Sequence, residues 1–396
     1  MRVGFDAKRV FHNTTGLGNY ARDVLRVLAT HAPEHEYVAY NPRPGSVPFD
    51  LPGAALTERG PRGLGRLLPR LWRGAGVVRD LVADRIDLFH GLSNELPVGL
   101  ERTEVAGVVT IHDLIFERFP HLYGSVDRHI YRWKFRSAAE RARLVVAISE
   151  QTGRDLQELY GIPGSRIRVV YQGCQVAFRQ PIAPGRLEEV ARRYALAPGF
   201  VLQVGTIEER KNLLLTARAV ATLPRVTLVA VGRATRYARK VREFAGARGL
   251  GERVRLFSGV STEDLAVLYR LAAVAVYPSL FEGFGIPIVE ALASGTPIVT
   301  TRGGVFPEAG GPGSVYVDPR DPEELRTALA SILADPDRRA AMSAAGLAHS
   351  ERFRDERIAA DLLEVYAEAR AGLPRAAVGK RASSHTAPAG LRALRP

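Results

Sequence analysis

Glu282 and Glu290 stand in FEGFGIPIVEALASGTPIVT (281–300), separated by seven residues that are mostly glycine, proline and apolar side chains. A carboxylate in such company is costly unless something pairs with it. Pro287 suits the first turn of a helix, where its missing N–H costs nothing. The preceding FEGFG loop can aim N–H groups at an anion, and a helix N-terminus after such a loop is a ready phosphate site. Glu282 is then expected in the loop and Glu290 in the first turns of the helix, edging one pocket at different depths. A carboxylate accepts two hydrogen bonds and suits a vicinal diol, which sugars and riboses both offer. The ligand implied is sugar–diphosphate–nucleoside. GTIEERKNLL (205–214) adds positive charge, with Arg210 and Lys211 just ahead of a helical pattern.

Something must position these residues. MRVGFDA, EYVAYN, the DLFHG stretch, AGVVTI, RLVVAIS and RIRVV read as strands in the first half. GNYARDVLRVLATHA and EQTGRDLQELYG read as helices, the second capped by Ser149 and ended by Gly161. Residues 42–63, rich in Pro and Gly, read as an irregular connection. The pattern restarts at FVLQVGT and alternates strand with helix to TPIVTT, with near-continuous apolar strands. That alternation predicts a parallel sheet covered on both faces. The chain is therefore expected to be α/β, two doubly wound Rossmann-like domains facing across a cleft. The boundaries expected are 1–176, a linker at 177–198, a second domain at 199–350 and a C-terminal helix at 351–373 that crosses back to the first domain. A basic tail, 374–396, is expected to be disordered. Open sheets of this kind bind ligands beyond the C-terminal ends of their strands. On that rim fall Asp6 with the loop to Gly18, His90, His112 and Asp113, then Gly205 to Asn212 and Ser279 to Gly285.

The 396 residues allow two cores, and 46% are apolar. Cys174 is the lone cysteine, which excludes an internal disulfide framework and a multi-cysteine metal site. The N-terminus has neither the apolar region nor the cleavage site of a signal peptide, and no apolar run is long enough to span a bilayer. A cytoplasmic location is expected, at the inner face of the cell membrane. Net charge is +13, and of 55 basic residues only Lys8, Lys134, Lys211, Lys240 and Lys380 are lysine. Such arginine excess fits either codon bias or a surface facing phosphates.

FHNTTGLGNYARDVL, DLFHGLSNELP, TIHDLIFERFP, AISEQTGRDL, VGTIEERKNL, YPSLFEGFGIPIVEALASGTPIVTT, PEAGG and YVDPRDPEEL together make the chain resemble the retaining GT-B glycosyltransferases that include bacterial mannosyltransferases and sucrose synthases. Matching segments run from residue 3 to about 360. The resemblance implies that Glu282 lies by the donor sugar and Glu290 holds the nucleoside ribose. It implies that the N–H groups of Gly283, Phe284, Gly285 and Ile286 cradle sugar and diphosphate, with Gly205 and Thr206 beside them. Lys211 would neutralise the leaving diphosphate, His112 would lie near the anomeric centre, and Gly16 to Gly18 near the diphosphate. The family often carries Gly-Arg ahead of its lysine. Thr206 stands at that arginine's position here, and Arg210 is expected to supply the charge. His90 and Asp113 are candidate sugar or acceptor contacts. The resemblance further implies front-face transfer with retention, GDP-mannose as donor with a UDP- or ADP-sugar as the alternative, and a glycan or lipid-linked acceptor. No Asp-x-Asp element appears in a suitable loop, so no metal and no cofactor are expected.

Two other classes compete. GLGNYA satisfies the dinucleotide-binding pattern G-x-G-x-x-G/A. The glycines should follow the first strand at once, however, and the second strand should end in Asp or Glu rather than Asn41. Residues 61–80 and 125–143 mix Arg with Leu, Trp, Tyr and Phe. The second stretch reads as a basic amphipathic helix with Ile130, Trp133 and Phe135 available to an anionic membrane. No motif supports nucleic-acid binding.

Overall fold

The computed structural model describes residues 1–51, 56–371 and 373; the expected tail at 374–396 lies outside the described residues. Among the described residues thirteen strands form two sheets. The first contains β1 (Arg2–Asp6), β2 (Glu36–Tyr40), β3 (Leu56–Arg59), β4 (Leu88–Gly91), β5 (Ala106–Ile111), β6 (Leu144–Ala147) and β7 (Ile167–Val169). Its spatial order is β3-β2-β1-β4-β5-β6-β7. The second contains β8 (Val201–Val204), β9 (Leu228–Val231), β10 (Val254–Phe257), β11 (Val274–Tyr277), β12 (Ile298–Thr301) and β13 (Val315–Val317), in the order β10-β9-β8-β11-β12-β13. Every strand pair is parallel. Both sheets reverse direction beside their first strand, and an open sheet takes its ligand at that point.

The central strands are buried along their whole length and mostly apolar because both faces are covered: all six residues of β5 are buried, and all four of β6, β9, β11 and β12, with Thr110, Thr300 and Thr301 as polar members. β3 was not expected. Its LTER sequence is polar because it is an edge strand with one neighbour, so it falls inside the stretch expected to be irregular.

The expected linker carries more structure than its composition implied. Pro184–Arg193 is a helix docked on the Thr262–Leu271 helix of the second half. Asp264 fastens it, taking a bond from Arg193 Nη1 at 2.7 Å and one from the Tyr194 hydroxyl at 2.9 Å, with Arg186 on its other oxygen. The C-terminal helix, Asp355–Arg370, packs on the Gly16–His31 helix and on β4, β5 and β6. Arg26 to Asp355 (2.7 Å) and Arg370 to Asp87 (2.9 Å) tie it down near its two ends.

Candidate active site

The C-terminal rims of the two sheets face each other across a cleft of about 550 Å³. Glu282, Glu290, Lys211, Arg210, His112, Asp113, Gly16, Gly205, Thr206, Gly283, Phe284, Gly285 and Ile286 all line it. The second domain supplies the charged wall. β8 ends at Val204, and Gly205 (φ 136°) turns the chain in a conformation that favours glycine. Asn212 then adopts a left-handed conformation and starts the Leu213–Ala221 helix, so the Glu209–Lys211 turn lies beside the end of β11.

Lys211 Nζ lies 2.6 Å and Arg210 Nη1 2.7 Å from the same oxygen of Glu282. Arg210 also donates to Phe281 O at 2.7 Å and to Glu208 at 2.8 Å. The Lys211 ammonium sits over the Tyr277 ring, 4.7 Å from its centroid, and contacts its hydroxyl. Burial alone would push the Glu282 carboxyl up; Lys211 and Arg210 outweigh it and hold it at about 2. The same burial pushes the Lys211 ammonium down, against the pull of Glu282. Two cations, Lys211 and Arg210, are met by two carboxylates, Glu282 and Glu208, at the mouth of the Ile286–Ala293 helix, whose N-terminus points into the same cleft.

Glu290 lies one turn into that helix, with Tyr269 donating to its Oε2 at 3.1 Å. Burial pushes its carboxyl up to about 7. The two glutamates thus differ in kind: one is a fixed anion between cations, the other a proton-holding hydrogen-bonding group deeper in the cleft. Gly283 is a close-approach glycine, since a Cβ there would stand 2.4 Å from His112 O of the opposite domain. The Phe284 side chain is buried and stacked on Tyr171 (5.7 Å, 22°), so only its backbone is free to serve a ligand.

On the facing rim His112 follows β5. Its Nε2 lies 2.9 Å from Leu92 O, so Nε2 carries the proton and Nδ1 is left to accept. Burial pushes its pKa down to about 4, and its ring meets Tyr20 edge-on at 4.6 Å. The imidazole is neutral at physiological pH. Asp113 accepts the Ile115 N–H at 3.2 Å, and burial raises its pKa.

Two expected contacts are corrected. His90 does not reach the cleft. β4 continues through Gly91, which places His90 inside the strand with no exposed surface. It bonds Tyr366 of the C-terminal helix at 2.7 Å and Thr110 at 2.8 Å, and burial drives its pKa to about 3. Gly18 is also internal: a Cβ there would lie 1.9 Å from Asn13 O, so it serves the packing of the first helical turn while Gly16 faces the cleft. Sequence reasoning missed Tyr277, Tyr171 and the 172–175 segment as cleft residues. Tyr277 was legible as the last residue of an apolar strand; the 172–175 segment follows β7 with no local pattern that marks it.

Among the described residues no cluster of three or more His, Cys, Asp or Glu side chains is placed to hold a metal ion. No helix among them is long and apolar enough to cross a membrane.

Comparison with known proteins gives the frame for this geometry. Residues 14–178 match the family model "Glycosyltransferase Family 4" and residues 192–349 match "Glycosyl transferases group 1". The O-antigen chain mannosyltransferase B of Escherichia coli is 27% identical, over 92% of this chain and 99% of its own length. The D-inositol 3-phosphate glycosyltransferase of Thermobispora bispora is 34% identical over 57% of this chain, which spans about half of that protein (56%). A glycosyltransferase from Rickettsia africae superposes with a TM-score of 0.75 at 17% identity, covering 94% of this chain and 98% of its own. The Anabaena protein HepE in complex with UDP and glucose superposes with a TM-score of 0.72 at 20% identity, covering 93% and 100%. Two parallel-sheet domains meeting at a cleft, with both halves matched to sugar-transferring families, have the GT-B architecture, and the chain belongs to the group 1 glycosyltransferases.

Proposed function

We propose that the protein transfers a mannosyl residue from GDP-mannose to a glycan or lipid-linked acceptor, with retention of configuration and without a metal. The observation that carries the reading is the Lys211–Arg210–Glu282 cluster at the mouth of the Ile286–Ala293 helix, with Glu290 one turn deeper. Breaking a glycosyl–phosphate bond leaves negative charge on the diphosphate. Lys211, Arg210 and the helix N-terminus are aimed where that charge develops. They supply the role a divalent cation would otherwise fill. Mannose as the sugar is supported by the mannosyltransferase relatives of Escherichia coli. Glu282 is held between two cations and Glu290 stands deeper on a helix, which favours front-face return over a glycosidase-like carboxylate pair. The leaving phosphate would then take the acceptor's proton, and the two domains would exclude water.

Contact with an anionic membrane at the inner face of the cell membrane belongs to the same reading. Residues 61–80 and 125–143 converge on one groove of about 690 Å³, where Leu71, Val98 and Trp133 meet Arg43, Arg70 and Lys134. Leu67, Leu68, Leu71, Val126, Ile130 and Trp133 are exposed. Phe135 departs from expectation, packing on Phe116 at 5.2 Å, and Trp72 is buried with its indole on Asp80.

The deciding measurement is a thermal-shift titration with GDP, UDP, ADP, NAD and GDP-mannose on wild type and Glu290→Ala. A ligand that binds only the folded state raises the midpoint. Stabilisation by GDP and GDP-mannose, lost in Glu290→Ala, is expected. A response to UDP alone would favour a UDP-sugar, the reading suggested by the UDP-bound Anabaena structure. A response to NAD alone would overturn the transferase.

A further inference from the structure

AISEQTGRDL and PEAGG have so far carried no role, yet they meet across the cleft. Ser149 follows β6 and caps the Glu150–Tyr160 helix, its Oγ accepting the Thr152 N–H at 3.1 Å. The same Oγ lies 2.8 Å from the carbonyl of Gly283 in the donor loop and donates to it across the domain boundary. One turn on, Thr152 Oγ1 lies 3.2 Å from His112 O. From the other side Glu308, in the short Phe306–Gly310 helix of the second domain, accepts the Glu150 N–H at 2.6 Å. The first-domain helix is thus capped by both domains at once. A carboxylate at a helix N-terminus also gains from the helix dipole. Burial pushes the Glu308 carboxyl up, and the Glu150 N–H and the Tyr171 hydroxyl oppose that. Two aromatic pairs flank the polar contacts: Phe119 on Phe281 at 5.1 Å and Tyr171 stacked on Phe284 at 5.7 Å.

We propose that Glu308 and Ser149 are positioning residues that latch the two domains closed over the donor, with the N-terminus of the Glu150–Tyr160 helix as the catch. One helical turn then fixes two backbone carbonyls, His112 O and Gly283 O, that flank the reacting groups. Separation of the domains removes Glu308 from Glu150 N–H and Ser149 from Gly283 O together. Closure and alignment are therefore a single event, and the closed state shuts out water. The latch rests on the nucleotide-sugar reading for its purpose, though not for its existence.

The test uses the full chain in two arms. Without ligand, small-angle scattering compares wild type with Glu308→Ala, Ser149→Ala and the double variant. The radius of gyration is expected to rise in the variants, most in the double, with the melting midpoint of Glu308→Ala near wild type and those of the two Ser149 variants lowered by loss of the helix cap. An unchanged radius in the double variant would overturn the latch. The second arm follows GDP-mannose turnover. Glu308→Ala is expected to lower kcat at least tenfold, leave KM for the donor within twofold, and raise the fraction of donor lost to water. A purely structural role would leave that fraction unchanged, whatever the shift in midpoint. Glu150→Ala keeps the N–H and should behave as wild type. Should Glu308→Ala fail to fold, Ser149→Ala alone carries both arms. Absence of nucleotide binding in wild type would sink the proposed function, while the scattering arm still judges the latch.

Discussion

Glu290 holds its proton through the pH range in which an ordinary glutamate has lost it, because burial raises its carboxyl to about 7. The sign of the consequence follows from linkage. A carboxyl raised in the fold contributes stability that is complete below the unfolded value of 4.5 and lost as pH rises through about 7. Glu290→Gln keeps a hydrogen-bonding partner for Tyr269 and cannot ionise. The ligand-free variant should therefore match wild type in melting midpoint near pH 5 and exceed it at pH 8, read by melting scans across that range. Equal midpoints at pH 8 would mean Glu290 is not held neutral. Lys211 makes the complementary case. In the proposed reaction its ammonium faces the anion that forms in the transition state, and loss of one such donor costs roughly 100-fold or more in kcat. Lys211→Ala should lose about that much in donor turnover and should also weaken GDP binding in a calorimetric titration. Turnover within threefold of wild type would remove Lys211 from the chemistry.

At the scale of elements, the C-terminal helix packs back on the first domain, and one buried contact in that packing joins Tyr366 to His90. Tyr366 is fully buried and donates to or accepts from His90 Nδ1 at 2.7 Å, edge-on at 5.6 Å between rings. Tyr366→Phe keeps the packing and strands a buried ring nitrogen, which costs about 1–3 kcal/mol. The urea midpoint should fall accordingly, and GDP affinity should not change; a loss of affinity without a shift in midpoint would contradict the placement of His90 in the core. The same pair explains what the sequence could reveal. The buried parallel strands were legible because coverage on both faces makes them mostly apolar, with no alternation of polar and apolar positions. The Ser149 cap, the Gly161 stop and the Pro287 helix start were legible because capping is local chemistry. β3 was not, since an edge strand needs no apolar run, and the Pro184–Arg193 helix hid in a proline-bearing, mixed stretch. The role of His90 turned on one residue: ending the strand at His90 exposes it, ending it at Gly91 buries it. The meeting of Glu308 with Glu150 spans 158 positions in sequence, and no local pattern records it.

At the scale of the whole molecule the question is where a net charge of +13 is directed. Much of the arginine is spent internally, in pairs such as Arg73 with Asp6 and Glu95 or Arg118 with Asp155. The groove between residues 69–74 and 133–141 is different in kind, because its rim joins Arg43, Arg70 and Lys134 to exposed Leu71 and Trp133. Basic residues near an anionic surface contribute about 1 kcal/mol each and are screened within a Debye length, whereas buried apolar side chains are insensitive to salt. The two contributions can therefore be separated in one assay. Co-sedimentation with vesicles containing anionic lipid should be strong at low salt and fall several-fold at 0.5 M salt, on the order expected for a few screened charges. Leu71→Ser with Trp133→Ser should lower the binding that survives high salt. Arg43→Ser with Arg70→Ser should lower only the salt-sensitive part. Neither pair lies in the donor cleft, so GDP binding should be unchanged in both, and a protein that ignores anionic vesicles at low salt would leave this groove without a membrane role.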